Sequence, residues 1–297
     1  MSVLRRSERF AVYIAASAPY LEDLSLDRIA RSKIHAPELE GAYPCPPLAL
    51  NDNDIPDHPI FGSNLCLPSL LRIPSLRKLT IRDTHLGHEG WTTVPVCCRL
   101  EVLDLGNCYH GDEDFNTRCT ERIMSTVGPT IDEFSLATAV SSKVFAKPSL
   151  TPLRNLRQLH ITPFFPIDNV VETVSNLAGS PVERISVRCF EDDVVDICAA
   201  LEEFLVLRVE RGPEFYDKLQ RIDVAITSSE LNTTKEEKEE RQMAAKRLQE
   251  LCRDLQLASA IARFDKMVAD LEVKQGQVPQ PLIGTKRLQV KGRSMTI

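Results

Sequence analysis

The feature that most constrains this chain is a nine-residue pattern that recurs along it. Its clearest copy is Leu100, Glu101, Val102, Leu103, Asp104, Leu105, Gly106, Asn107, Cys108. Apolar residues stand at positions 1, 4 and 6, and a polar turn follows. Side chains of a strand alternate between faces, so positions 4 and 6 point to one side and positions 3, 5 and 7 to the other. One such strand cannot bury its apolar face alone. Copies stacked side by side can, so the pattern specifies an array before it specifies any chemistry.

Full copies start at Leu21, Leu76, Leu100, Ile131, Leu156, Val182 and Leu219. The gap between Leu21 and Leu76 is long enough for two units, and Cys45, Leu48, Leu50 and Asn53 make a half-match inside it. Two readings stay open there: a degenerate repeat, or an irregular Pro-rich interval over residues 35–74. Pro46 and Pro47 count against the repeat, because proline cannot donate to an interior ladder. Consecutive units should form parallel strands, and parallel strands need crossovers. Helical apolar spacing predicts crossovers over 119–127, 168–177 and 192–207, with Asp168 as an N-cap after Pro166. Residues 7–18 read as a short amphipathic helix ended by Pro19.

Units of this length are the signature of leucine-rich repeats. The expected fold is therefore α/β: a right-handed leucine-rich-repeat solenoid over residues 1–228, with a parallel concave sheet and helices on the convex side. Helical crossovers, and Cys108 at position 9, resemble the long repeats of F-box/LRR proteins, in particular divergent fungal members. The resemblance covers roughly residues 20–228. It implies a substrate-recognition part of an F-box-type ubiquitin ligase. The chain departs from that family in two ways. Position 9 elsewhere holds Asn53, Thr84, Ala139, Phe164, Phe190 and Thr227 instead of cysteine. No F-box is recognisable, since the repeats begin by Leu21, so a Skp1-type adaptor would need an F-box outside this chain.

The C-terminal stretch changes character. A charge run over 233–242 precedes two apolar series, Ala244, Leu248, Leu251, Leu255 and then Leu257, Ile261, Phe264, Val268, Leu271. They predict helix over 229–274, broken near 254–257. It reads as a cap sealing the last repeat, or alternatively as a scaffold helix through which the protein dimerises. Residues 275–297 carry Gly, Pro and basic residues and read as a mobile basic tail.

Little here points to catalysis. Cys97, Cys98, Cys108, His110 and Cys119 lie close in sequence but lack paired zinc-ligand spacing, and His85 with His88 has no third ligand in view. They read as structural residues, the cysteines as reduced buried thiols. There is no nucleophile elbow, phosphate-binding loop or dinucleotide fingerprint. The expectation is a protein that is not an enzyme and takes no cofactor. A net charge of −6 argues against nucleic acid as partner, and no apolar run suggests a membrane span. The compartment expected is cytoplasmic or nuclear.

What remains is the face formed by positions 3, 5 and 7. It is polar, of mixed sign and poor in aromatics, which suits recognition of a protein. The candidate binding residues on it are Lys78, Arg82, Asp104, His160, Arg184, Arg188, Arg221 and Asp223. Arg184, Arg188 and Arg221 are expected to make a basic patch at one end, opposite an acidic first strand. A regulatory solenoid similar to repeat-type GTPase activators is a further class, but no exposed loop arginine stands out for it.

Overall fold

The computed structural model describes residues 7–40, 48–49, 52–106, 113–212 and 214–227, together with 239, 242–244, 246, 247, 249, 250 and 253. The chain forms two compact units, Met1–Leu257 and Ala258–Ile297, and every described residue belongs to the first. Its elements run α1 (Glu8–Ala16), β1 (Asp23–Asp27), β2 (Arg31–Ser32), β3 (Leu48–Ala49), β4 (Lys78–Arg82), β5 (Val102–Asp104), α2 (Glu113–Val127), β6 (Glu133–Leu136), β7 (Gln158–Ile161), α3 (Val170–Asn176), β8 (Arg184–Phe190), α4 (Val194–Arg211) and β9 (Arg221–Thr227). All seven full copies of the pattern become strands, and these seven make one sheet in the order β1-β4-β5-β6-β7-β8-β9. Every pairing in it is parallel.

The register follows the pattern. Leu24, Leu79, Leu103, Phe134, Leu159, Ile185 and Ile222, all at position 4, lie in one row across the sheet. From Leu79 to Ile222 this row is almost completely buried. So are Ile81, Leu105, Leu136, Ile161 and Val187 at position 6. Leu24 and Val224 are only partly buried, because a terminal strand has a neighbour on one side. Each fully buried Leu, Ile or Phe contributes roughly 1.5–3 kcal/mol of transfer free energy.

The junctions between strands are alike in backbone detail. The position-2 carbonyl of each unit accepts the N–H groups of positions 2 and 3 of the next. Glu22 O takes Arg77 and Lys78, Arg77 O takes Glu101 and Val102, and Glu101 O takes Asp132 and Glu133. Asp132 O, Arg157 O and Glu183 O continue the series up to Gln220 and Arg221, all at 2.7–3.2 Å. One docking geometry is thus repeated at every junction of the sheet. The turn after the strand repeats too in the first two units. Arg28 and Asp83, both at position 8, have φ of 53° and 47°. At position 9 of the second unit, the buried Thr84 hydroxyl donates to Arg82 O and accepts from Ile29 N, tying one turn to the next. Cys108, the residue that drew attention to position 9, lies outside the described residues.

The predicted crossovers are helical: α2 contains 119–127, a 3-10 turn (Glu191–Asp193) opens 192–207 before α4 takes over at Val194, and a 3-10 turn (Ile167–Asn169) leads into α3. Asp168 is not the N-cap of α3. It sits inside that turn, Asn169 precedes the helix, and neither side chain caps it. Helix α4 buries Val194, Ile197, Leu201 and Phe204, and it ends at Gly212 with φ 83°, where a side chain would be strained. Beyond it Tyr216 donates its hydroxyl to Val174 O at 2.6 Å, joining the last crossover to α3. Of the predicted C-terminal helix, the described residues are helical, Ala244 packs against the core and Arg247 pairs with Glu202 of α4 at 2.5 Å. The apolar series from Leu257 and the basic tail lie outside the described residues.

The half-match at Cys45 is not a member of the array. Leu48 and Ala49 form β3, which pairs with β2 in a separate two-stranded sheet, while β1 pairs directly with β4. The Pro-rich interval is nonetheless core. A 3-10 helix, Leu67–Arg72, places Leu67, Leu70 and Leu71 at zero exposure, with Leu65 and Ile73 beside them.

Candidate functional site on the open sheet face

Positions 3, 5 and 7 form the face of the sheet opposite the core. It is polar, and its side chains are exposed or partly exposed except Thr80 and Gly106. Parallel sheets are usually covered on both faces. Here one face carries the core, and the described residues place no helix on the other.

Charges on this face are mostly matched across strands. Lys78 Nζ lies 3.6 Å from Asp23, and Arg82 donates to Asp104 at 2.5 Å. Asp104 Oδ1 also accepts Gly106 N at 2.9 Å, which fixes the carboxylate. Arg184 and Arg221 stand directly opposite each other in register, an arrangement that is unfavourable for like charges. Asp223 resolves it, accepting from Arg221 and lying 3.9 Å from Arg184. The basic patch expected from the sequence is therefore partly neutralised within the protein. Asp223 shares a face with both arginines because Ser186, its register partner, lies two residues from Arg184. Arg188 has no ion pair among the described residues. Exposed pairs of this kind contribute roughly 0–1 kcal/mol each, so they set pattern more than stability.

A depression of about 270 Å³ opens on this face. Four of the sequence-selected residues line it: Arg82, Asp104, His160 and Arg188. Lys78, Arg184, Arg221 and Asp223 do not: the first three begin their strands, and Asp223 lies on the edge strand β9. Glu133, Ser135, Thr162 and Phe164 are among the other lining residues, and none of them stood out in the sequence. His160 Nε2 is 3.1 Å from Glu133 Oε1 but is not aligned for a hydrogen bond, and the nitrogen is buried without a partner. Thr162 Oγ1 is in the same condition. Gly106 makes the floor: a Cβ there would come 2.3 Å from Thr162 Cγ2.

Phe164 and Phe190 show what the sequence concealed. Both occupy position 9, where they read as departures from the repeat. In the structure they are neighbours, edge to face at 5.5 Å, and Phe164 is 57% exposed at the rim of the depression. Their identical offset from consecutive pattern starts is the signal that placed them together.

The other candidates are structural. Cys66, Cys98, Cys119, Cys189 and Cys198 are buried and unbridged, whereas Cys97 is exposed, contrary to the expectation of buried thiols. Burial pushes the Cys98 and Cys189 thiols up to about 11, which leaves them protonated and unreactive at neutral pH. His85 is buried, accepts Gly87 N, and is held down to about 4 by burial and by the nearby Arg31. His88 Nδ1 accepts Gly90 N. No set of three or more metal-ligating side chains comes together among the described residues, and no described helix is long and apolar enough to cross a membrane.

The fold and the site define a mixed α/β protein whose parallel seven-stranded sheet presents one polar face. No family model, curated protein or solved structure matches the chain.

Proposed function

We propose that this protein is a leucine-rich-repeat solenoid that acts as a non-catalytic interaction module and holds a protein partner on its open sheet face. The observation that carries the reading is the junction geometry: seven strands in sequence order, all parallel, each docked on its predecessor by the same pair of backbone hydrogen bonds. A chain built by such translation has an extended face made of equivalent positions, which is the surface repeat proteins use for binding. The face is wide, polar and patterned in charge, which favours a macromolecular partner over a small apolar ligand. The finer form of the proposal, from the resemblance to F-box/LRR proteins, is substrate recognition for a ubiquitin ligase. A Skp1-type adaptor would then join through an F-box outside this chain. The packing of Ala244 on the core and the pairing of Arg247 with Glu202 favour a cap over a dimerisation helix for the segment after β9.

Charge reversal tests this reading. Arg184→Glu with Arg188→Glu is expected to abolish affinity capture of a partner identified by mass spectrometry with the wild-type chain, without lowering thermal stability by more than about 1 kcal/mol. Undiminished capture of that partner by the double variant would defeat the open-face assignment.

A further inference from the structure

Resting on the interaction-module reading, we infer that the depression around Arg188 receives a carboxylate side chain, and that the partner docks there through an extended acidic segment bearing an apolar residue beside the acid. The other cations of the face have internal partners: Lys78 with Asp23, Arg82 with Asp104, Arg184 and Arg221 with Asp223. Arg188 has none among the described residues, is exposed, and lines the depression. Two further groups there lack hydrogen-bond partners, His160 Nε2 and Thr162 Oγ1. A guanidinium presents a fork of donors that matches a carboxylate with two parallel hydrogen bonds. The hydroxyl of Thr162 supplies another donor to the same oxygens.

The number of free cations selects the anion. A phosphoryl group carries nearly two charges and is usually held by an arginine cluster. Among the described residues one uncompensated guanidinium faces this depression, and Glu133 and Asp104 line it as well. Those carboxylates repel a dianion more strongly than a monoanion, so Asp or Glu is the better occupant. The rim adds the second element. Phe164 is exposed and braced edge to face by Phe190, which provides an apolar seat beside the charge. Across β8 and β9 the balance is basic, with Arg184, Arg188 and Arg221 against Asp223, whereas β1 carries Asp23 and Asp27. An acidic segment is therefore steered to the Arg188 end of the sheet and away from β1.

The test uses the full chain and immobilised 12-residue peptides in matched sets: Glu next to Leu or Phe, the same with Gln, with Lys, and with phosphoserine in place of Glu. The acidic-apolar set is expected to bind at 50 mM salt and to weaken at 0.5 M. The Gln and Lys sets should bind at least tenfold less, and phosphoserine no better than Glu. Arg188→Glu should lose the acidic peptides at least tenfold and gain the Lys peptides, a swap that loss of folding cannot produce. Phe164→Ser should weaken the acidic-apolar set while sparing its charge preference. Equal binding of Glu and Gln peptides, an unchanged Arg188→Glu profile, a preference for phosphoserine, or no binding by any set each overturns the inference. These outcomes are separable from failure of the broader reading. Capture that depends on Arg184 and Arg188 but not on partner acidity keeps the interaction module and rejects the carboxylate site.

Discussion

Replacing Glu8 with alanine is expected to destabilise the protein by about 3–5 kcal/mol, the cost of breaking a buried ion pair by removing one partner. Glu8 and Arg31 are both at zero exposure, with Arg31 Nε 2.9 Å from Glu8 Oε2. The same carboxylate accepts Ser32 N at 3.0 Å and Leu67 N at 2.7 Å. It therefore joins α1, β2 and the 3-10 helix of the Pro-rich interval at one point. Arg31 in turn donates to His85 O and Gly87 O, both at 2.8 Å. Alanine at position 8 leaves a buried guanidinium without its counter-charge and two amides without an acceptor. Urea unfolding of E8A should show the loss as a lower midpoint at unchanged slope. The double variant Glu8→Leu, Arg31→Met should recover part of it, because apolar replacement of both partners removes the uncompensated charge but leaves the Ser32 and Leu67 amides without an acceptor. A cost below about 1 kcal/mol for E8A would contradict the buried pairing.

The same region makes the fold acid-labile. Burial alone would raise the Glu8 carboxyl, but Arg31 and the hydrogen bonds from Ser32, Arg31 and Leu67 outweigh it and hold Glu8 below the usual range. A carboxylate depressed in this way stabilises above the unfolded-chain value and loses that contribution as pH falls through its folded value. His85 acts in the same direction. Its folded value near 4 lies below the 6.5 of a free imidazole, so between those pH values the unfolded chain binds a proton that the folded one refuses. Stability should fall from pH 6.5 to pH 4 by up to about 3 kcal/mol from His85, and further below pH 4.5 from Glu8. His85→Gln should flatten the first part of that profile and leave the second.

Phe134→Ala is expected to cost about 3–5 kcal/mol and to lower the melting temperature by roughly 10 °C. Phe134 lies on β6, the middle strand of the seven, fully buried, with Leu103 and Leu159 as its register partners. A cavity there sits between both halves of the stack, and neither terminus can relax to fill it. Val224→Ala, on the half-buried last strand, should cost less than about 1 kcal/mol by comparison. In an array where each unit touches only its neighbours, position along the stack decides the cost. Equal costs at the two sites would contradict that picture.

Much of the fold was legible because the repeat pattern encodes burial directly. Position 4 from Leu79 to Ile222 reads as core in the sequence and is core in the structure. Two things were hidden. The first is the N-terminal polar knot. Glu8 and Arg9 look like the solvated start of an amphipathic helix, since nothing local shows that Arg31, Ser32 and Leu67 will converge on Glu8 or that Arg9 will donate to Ile55 O. The second is the fate of Cys45 to Asn53. Strand-like spacing is present there, but Leu48 and Ala49 pair with Arg31 and Ser32, and the main sheet closes without them. At the candidate site the strand faces were legible, so Arg82, Asp104, His160 and Arg188 could be named. Which charges cancel was not, because Asp223 reaches two arginines only once β8 and β9 are in register. Phe164 and Phe190 had the right spacing to be neighbours, yet a pattern built on cysteine or asparagine at position 9 gave no reason to look for an aromatic pair.

Site-directed photo-crosslinking tests most directly whether the open sheet face is the interaction surface. A benzoylphenylalanine placed at Ser186, midway along β8 on that face, should give one discrete adduct with the captured partner. The same probe at Glu172, on the outer side of α3, should give none. Adducts from position 172 with none from position 186 would contradict the assignment and move the interface to the helical side.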